Sequence, residues 1–335
     1  MDAAGIAQPA LVTGATGFIG RALIARLLRH GVRVRALVLP GEPIEGVLPE
    51  DVDIVRGDVT DPDAVSEAMR GAGTVFHLAA VVGDWGDEDL FQRITVGGTR
   101  NVMNAAAENN VRVLLASSVV VYGDFVHTSV CEEDLGYGKA LGPYSRAKQQ
   151  QERLALEMAR TRGVRLTVIR PTNVYGPGSR PWVHDVVDQI RTGTPSLIGG
   201  GEHNAGLVHV ENVVDVFTLA ACRDGAVGRI YNAGEGSAVT WKQYFSDIAR
   251  LIGAKPPTSI PWIVAMPAAH ACEAVWKLLG LKHRPPLTLE ALNLVGSDHR
   301  VPIDRARLEL GYVPGVDYAT GIRTVADYIK QAKLA

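Results

Sequence analysis

The sequence predicts an α/β fold: a doubly wound parallel sheet with a smaller C-terminal lobe. Three observations carry that expectation. Short β-branched runs alternate with longer helical patterns through the first half of the chain, which is the rhythm of βαβ units. A glycine-rich turn, TGATGFIG at residues 13–20, follows the first run and opens a helix. After Pro171 the texture changes to shorter helices broken by the loops NVYGPGSRP and IGGGEHNAG.

Taken in order, PALVTG reads as the first strand and is followed by a helix from about Phe18 to Arg29. RVRALV is the second strand, and VDIVRGD the third, ahead of a helix beginning near Pro62. TVFHLAA precedes a helix near Leu90–Asn109. VRVLLASS precedes a loop and the helix of Tyr144–Arg160, and RLTVIRP closes the first half. The crossovers are expected to be right-handed. Further on come a strand-like GRIYNAG near 228–234, helices near 240–252 and 319–333, and an apolar segment between them. Residues 1–172 are expected to form a dinucleotide-binding lobe of the Rossmann type, with returns at about 207–234. Residues 173–335 are expected to form mainly a substrate-binding lobe.

Composition narrows the class. A chain of 335 residues, 47% hydrophobic and 21% charged, has the make-up of a globular protein with a large core. A net charge of −2 without a Lys/Arg cluster argues against a nucleic-acid partner. Cys131, Cys222 and Cys272 are scattered, without metal or redox spacing. That suits a reducing compartment, and a cytoplasmic location is expected. The N-terminal MDAAGIAQPALVTG lacks a charged n-region and is not read as a signal peptide. In residues 261–281, Pro267, His270, Glu273 and Lys277 interrupt an apolar run. This argues against a membrane span. An amphipathic helix covering the core and a peripheral membrane contact both stay open.

The glycine-rich turn is a candidate phosphate cradle. Gly14 permits the tight turn, Gly17 lets the backbone approach a pyrophosphate, and Gly20 lets helix and strand pack closely. Thr16, Phe18 and Ile19 complete the turn. The helix N-terminus then offers free N–H groups and a positive dipole end to phosphates.

The spacing is TGxxGxxG, and further motifs follow: GDVTD at 57–61, HLAA at 77–80, SSVVVYG at 117–123, YSRAK at 144–148 and RPTNVYGPG at 170–178. Together they resemble the extended short-chain dehydrogenase/reductase superfamily over nearly the whole chain. The resemblance implies that Asp58 and Val59 contact the adenine. Leu78, Ala79 and Ala80 would line the nicotinamide ribose, and Pro171, Asn173 and Val174 would hold the nicotinamide. Without it, Asp58 reads equally well as a helix N-cap ahead of Pro62. Thr95 departs from the asparagine usual in the family, a change that bears on a local structural contact. Val38 and Leu39 stand where an acid would grip the ribose of NAD or an arginine the phosphate of NADP. NADP is favoured over NAD, with Arg35 as the nearby cation.

Tyr144 and Lys148, four apart, share one helix face. Alone they read as a part-buried aromatic and a solvated charge. With the glycine turn, the βα order and Ser118 at the family's catalytic position, they become a candidate proton-transfer centre. An ammonium beside the phenol is expected to lower its pKa from about 10. Ser118 would hold the substrate oxygen, and Lys148 would also bond the ribose. His77 and His209 lie in strand-like runs and are read as structural, as are Ser117, Arg170 and Gly176. Asn173 and Tyr175 are candidate substrate borders.

The substrate side departs from nucleotide-sugar enzymes. Where these carry an Arg-Asp pair, this chain has Ala205 and Gly206, so a diphosphate would lose a charged partner. DWG at 84–86 and the stretch 284–313 resemble the 3β-hydroxysteroid and sterol-4-carboxylate dehydrogenase branch and the 2-alkyl-3-ketoalkanoate reductases. Trp262, Met266, Trp276 and Leu279 are a candidate apolar lid, or simply core. The expected function is a secondary alcohol–ketone interconversion, dependent on NAD(P), on a small hydrophobic, sterol-like or long-chain substrate. The alternative is a nucleotide-sugar epimerase or dehydratase with tightly bound NAD. A cofactor-sensing regulator is disfavoured because tyrosine and lysine are both present. The resemblance also implies a homodimer built on the Leu90–Asn109 and Tyr144–Arg160 helices.

Overall fold

The computed structural model describes residues 5–194 and 197–334; the first four residues of the segment read for targeting lie outside them. Seven parallel strands form one sheet in the order β10-β6-β5-β4-β1-β2-β3. They are β1 (Ala10–Thr13), β2 (Val34–Val38), β3 (Asp53–Arg56), β4 (Thr74–His77), β5 (Arg112–Ala116), β6 (Leu166–Pro171) and β10 (Ile230–Ala233). The order reverses between β1 and β4. In such sheets the crevice at that switch, beyond the carboxyl ends of the strands, is where ligands bind.

The side-chain alternation of a strand divides the core in two. Ala10, Val12, Phe76, Leu114 and Ile169 face one side, under α1 (Phe18–Arg29) and α8 (Val210–Ala221). Leu11, Val75, Val113, Leu115 and Val168 face the other, under α2 (Pro62–Met69), α4 (Gly98–Asn109) and α6 (Pro143–Arg162). Burial on both faces is why these strands read as near-continuous apolar runs. The Leu90–Asn109 expectation is met by a run of three pieces: α3 (Glu88–Phe91), a π-helical stretch over Gln92–Gly97, and α4.

A third core belongs to the C-terminal lobe. Tyr175, Val186, Leu207, Trp241, Tyr244 and Ile329 lie at its centre. Its helices are α7 (Asp185–Thr192), α9 (Trp241–Leu251) and α13 (Tyr318–Gln331), with the short strands β7 (Asn173–Tyr175), β8 (Leu197–Ile198), β9 (Leu207–His209) and β11 (Ser259–Ile260). The chain returns to the main sheet at β10, which pairs with β6. Helix α10 (Trp262–Leu278) packs on α11 (Leu289–Gly296), while α12 (Asp304–Leu310) lies beside β10; a one-turn α5 (Phe125–Thr128) completes the set.

Helix α10 has an inverted pattern. Its buried stripe is Ala265, Ala269 and Glu273, at i, i+4 and i+8. Ile263, Val264, Val275 and Leu278 point outward. Trp262 and Met266 pack into a small core with Ile198 and Leu292, whereas Leu279 is exposed. The lid reading therefore holds for neither Trp262 nor Met266. No helix among the described residues is long and apolar enough to cross a membrane.

One ionic cluster joins the lobe connections. Arg170 on β6 and Glu152 on α6 form an ion pair with both side chains at 2% exposure or less. Tyr137 donates to Glu152 at 3.0 Å, and Arg170 also reaches the Tyr122 hydroxyl at 2.9 Å and the Glu133 carbonyl at 3.0 Å. Ser117 donates to the same carboxylate, so Ser117 and Arg170 sit in architectural contacts. Removing one partner strands a buried charge, so Glu152→Ala is expected to cost about 3–5 kcal/mol in urea unfolding. Glu202→Ala, which breaks a pair with 57% and 65% exposed side chains, is expected to cost no more than about 1 kcal/mol. Equal losses would contradict this.

Candidate active site

The predicted residues follow the carboxyl ends of β1, β3, β4, β5 and β6, and the fold gathers them at the sheet's crevice. Gly14 has φ +68°, and a Cβ there would come within 2.8 Å of the Ala79 nitrogen. A Cβ on Gly20 would overlap the Gly14 carbonyl. Without a side chain at Gly14 the loop comes close against Leu78 and Ala79 at the β4 end. Gly17 caps α1 without any side-chain bond to its first turn. Those N–H groups are free for an anion, with Phe18 and Ile19 half-buried beside them. A dinucleotide pyrophosphate fits this cradle.

Other predicted cofactor residues have local partners. Asp58 accepts from the Thr60 backbone at 2.8 Å, while Asp61 caps α2 through the nitrogens of Asp63 and Ala64. The N-cap reading of Asp58 is thus corrected: Asp61 sits directly before Pro62 and takes that role. The Val59 carbonyl accepts from Asn101 at 3.1 Å. Pro171 ends β6, Val174 is half-buried on β7, and the Asn173 amide donates to the Ala205 carbonyl at 2.7 Å.

Ser118 opens a short 3-10 turn over Val119–Tyr122, and its Oγ accepts from Val120 at 3.3 Å. The Ser118 hydroxyl lies close enough to the Tyr144 phenol to favour its ionised form. Lys148, one turn on along α6, is 3% exposed. Its Nζ donates to the Ala116 carbonyl at 2.8 Å and to Gln151 Oε1 at 3.0 Å, and lies 5.9 Å from the Tyr144 ring centre. Burial lowers the lysine to about 7, against the opposing charge of Glu152. Burial raises Tyr144 to about 12; the neighbouring Ser118 hydroxyl opposes this and the Glu290 charge adds to it. The expectation of a lowered phenol pKa is therefore corrected for the chain alone. Desolvation outweighs the lysine, whose ammonium is itself disfavoured by the same burial.

Behind the lysine runs a buried chain of hydrogen bonds. Gln151 Nε2 donates to Thr99 Oγ1 at 2.8 Å, and Thr99 donates to the Thr95 carbonyl at 2.7 Å. With its one proton spent, Thr99 must accept from His77 Nε2 at 2.8 Å. His77 Nδ1 is then the acceptor for Thr13 Oγ1 at 2.7 Å, and Thr13 in turn accepts from the Ala79 nitrogen at 3.3 Å. One tautomer, Nε2–H, satisfies every member. His77 holds the β4 end in place and is neutral, its pKa lowered to about 3 by burial and by Lys148. Thr95 keeps a contact at the departure from the family pattern: its Oγ1 accepts from Val81 at 3.1 Å. His209 caps α8 at the Glu211 nitrogen and bonds Thr324 at 3.1 Å.

Two further expectations are corrected. Arg35 is tied to Asp53 at 2.7 Å and to the carbonyls of Ala68 and Arg70 at 3.1 and 2.7 Å, so it cannot serve a cofactor phosphate from there. Tyr175 is fully buried in the third core, against His209, Tyr244 and Tyr318, and borders no substrate. Several residues of interest escaped the sequence reading. Arg56 at the end of β3, in register with Val38, donates to the carbonyls of Leu39 and Glu42 at 3.1 and 2.6 Å. Glu42 accepts from Thr16 at 2.7 Å. Glu290, on α11, accepts from the Ser145 nitrogen at 3.0 Å. A basic side chain one strand away from Val38 was the only available signal for Arg56; nothing local marks Glu290.

A cavity of about 520 Å³ opens beside the start of α6, lined by Trp85, Leu141, Pro143, Arg146, Trp276 and Leu281 among others. Lys277 sits over the Trp85 ring at 5.7 Å. The DWG segment and α10 thus meet across this cavity, beside the first turn of α6.

Comparison with known proteins agrees with this geometry. The family model of the NAD dependent epimerase/dehydratase family matches residues 10–234. The chain is 30% identical to a 2-alkyl-3-oxoalkanoate reductase of Stenotrophomonas maltophilia, over 93% of this chain and 97% of that one. It is 30% identical to 3beta-hydroxysteroid-dehydrogenase/decarboxylase isoform 1 of Arabidopsis thaliana, over 96% of this chain and 80% of that one. Among solved structures, MoeE5 in complex with UDP-glucose and NAD superposes with a TM-score of 0.75 at 27% identity, covering 97% of this chain and 100% of that one.

The His77 tautomer is open to measurement. Nitrogen-15 NMR is expected to find the proton on Nε2 and the ring neutral from pH 8 down to pH 5, given a pKa near 3. Because the unfolded ring binds its proton at about 6.5, His77 should contribute to a loss of stability as pH falls from there towards 3. A ring that charges near 6.5 in the folded chain would contradict the buried chain of bonds.

Proposed function

The chain belongs to the NAD dependent epimerase/dehydratase family, and from that membership we propose that Ser118, Tyr144 and Lys148 interconvert a secondary alcohol and a ketone on a hydrophobic substrate. The chain is an NAD(P)-dependent dehydrogenase/reductase of the extended short-chain type. The observation that carries the proposal is the buried Lys148, tied to the end of β5 one turn along α6 from Tyr144, with its Nζ 5.9 Å from that ring's centre. The nicotinamide cofactor supplies the two-electron redox chemistry when bound. Tyr144 takes the alcohol proton in oxidation and returns it in reduction. Ser118 holds the substrate oxygen at the phenol, where developing charge meets a hydrogen-bond donor. Lys148, its pKa lowered to about 7 in the chain alone, would hold its charge more firmly where ribose hydroxyls and the phenolate replaced lost solvation. A charged Lys148, beside a nicotinamide that would carry positive charge when oxidised, would bring a phenol near 12 towards working pH.

The substrate class rests on the second lobe. Ala205 is fully buried, and a Cβ on Gly206 would come within 2.6 Å of the His299 Cβ. Neither position has room for a side chain that grips a diphosphate. The cavity beside the start of α6 combines Trp85, Trp276, Leu141 and Leu281 with charged side chains of both signs at Asp87, Glu88, Arg146, Glu273, Lys277 and Lys282, and the outward apolar side of α10 supports a contact with a lipid surface. The two relatives named above act, by their names, on alkyl keto acids and hydroxysteroids.

For the cofactor, NADP is favoured, with Arg56 rather than Arg35 as the phosphate ligand. Arg56 binds only carbonyls among the described residues and lies beside the end of β2. A second reading, NAD with Glu42 accepting from the ribose, is favoured by the Thr16–Glu42 contact. The discriminating experiment is calorimetric binding of both cofactors. Arg56→Gln is expected to weaken NADP by about ten- to a hundredfold, the worth of a charged hydrogen bond, and to leave NAD unchanged. Equal effects on both, or none, would reject Arg56.

Activity is tested by nicotinamide absorbance with long-chain 2-alkyl-3-keto acids, 3β-hydroxysteroids and UDP-glucose. Turnover is expected with the apolar compounds and not with the nucleotide sugar. Tyr144→Phe should lower kcat at least about a hundredfold while sparing cofactor affinity. Turnover of UDP-glucose alone would overturn the substrate class.

A further inference from the structure

The helix that carries Tyr144 cannot cap itself. Gly142 precedes it without a side chain, and Pro143 at its first position has no N–H. The Ser145 hydroxyl turns back to the loop, taking the nitrogens of Leu141 and Gly142 at 3.1 Å. The Ser145 nitrogen, in the first turn, therefore needs an acceptor from elsewhere. It finds Glu290 Oε1 at 3.0 Å, from α11 of the second lobe.

The approach is built for this carboxylate. A Cβ on Gly142 would overlap the Glu290 side chain, so only glycine admits it. Glu290 is 3% exposed, and its Oε2 has no hydrogen-bond partner among the described residues. It borders a void of about 10 Å³ with Val120, Gly123, Leu141 and Asn293, space for about one water. The start of α11 is fixed independently: Thr288 caps it at the Ala291 nitrogen and donates to Asp84, which also pairs with Arg284 at 2.6 Å. Asp84 directly precedes Trp85 of the substrate cavity.

We propose that Glu290 is a positioning residue for proton transfer at Tyr144: it caps the catalytic helix across the lobe boundary and sets the charge that the phenol meets. The inference rests on the reading of Tyr144 as the acid–base group. Charges around Glu290 work in both directions. The helix N-terminus and Arg146 favour its ionised form. Burial and Asp84 oppose it, raising the carboxyl to about 8. Glu273 on α10 is occupied by the Leu289 nitrogen and Lys277. His127 on α5 is turned to Ser297. An ionised Glu290 disfavours the phenolate; a neutral one does not. Docking of the second lobe thus bears directly on the acidity of the catalytic tyrosine.

The test uses Glu290→Gln, Glu290→Ala and Tyr144→Phe in the full chain. Glutamine keeps an acceptor and removes the charge. It is expected to leave hydrogen exchange at the Ser145 amide near native and to move the tyrosine limb of the kcat/KM pH profile down by about one unit, as loss of a nearby like charge does. Alanine removes the cap as well, and exchange at Ser145 should rise severalfold. A glutamine profile that superimposes on the native one overturns the proposal, even if alanine fails to fold; unchanged exchange in alanine rejects the cap. Native turnover in Tyr144→Phe would instead reject the underlying assignment of the acid–base group.

Discussion

An amine held inside an apolar interior is the constraint on which this site depends. Lys148 is all but inaccessible, and a buried ammonium costs several kcal/mol unless partners replace water. Its hydrogen bonds to Ala116 and Gln151 tie α6 to the end of β5. Gln151 extends the contact through Thr99 and His77 to Thr13, the residue before the glycine cradle. The cofactor side and the proton-transfer side thus share one set of hydrogen bonds. Each member can be satisfied in only one arrangement, so the network fixes positions as well as stabilising them.

The same low-dielectric setting gives Tyr144 and Lys148, the proposed proton-transfer groups, opposite shifts. Burial drives the phenol up and the amine down, and the lysine alone does not overcome it. In the proposed mechanism, bound cofactor and substrate would restore charge around the pair. The Ala116 carbonyl at the end of β5 supplies one side of that environment. The second lobe supplies the other through Glu290, a carboxylate delivered to the first turn of α6.

Much of this was legible in the sequence, because its causes are local. Strand alternation and the glycine turn depend on neighbours within a few residues, and β1, α1 and α6 lie where the pattern put them. The spacing of Tyr144 and Lys148 gave one helix face. What the sequence hid depends on distant partners. Arg35 stands two residues into β2 like a cofactor cation, yet its strand neighbour Asp53 takes it. Tyr175 sits in a motif that follows the site, yet α9 and α13 close over it. Glu290 is 145 residues from the nitrogen it caps, and no periodicity records that distance. The phenol's acidity was misjudged because desolvation is a property of the whole packed interior rather than of a pair.

The central claim, that burial of Lys148 governs the site, is tested most directly by its own titration. NMR of isotope-labelled lysine in the native chain, assigned with Lys148→Arg, reads the amine without reference to turnover. The account predicts one lysine Nζ titrating near 7 in the free protein. A Lys148 that titrates near the ordinary 10.4 would mean the amine is solvated, and would contradict it.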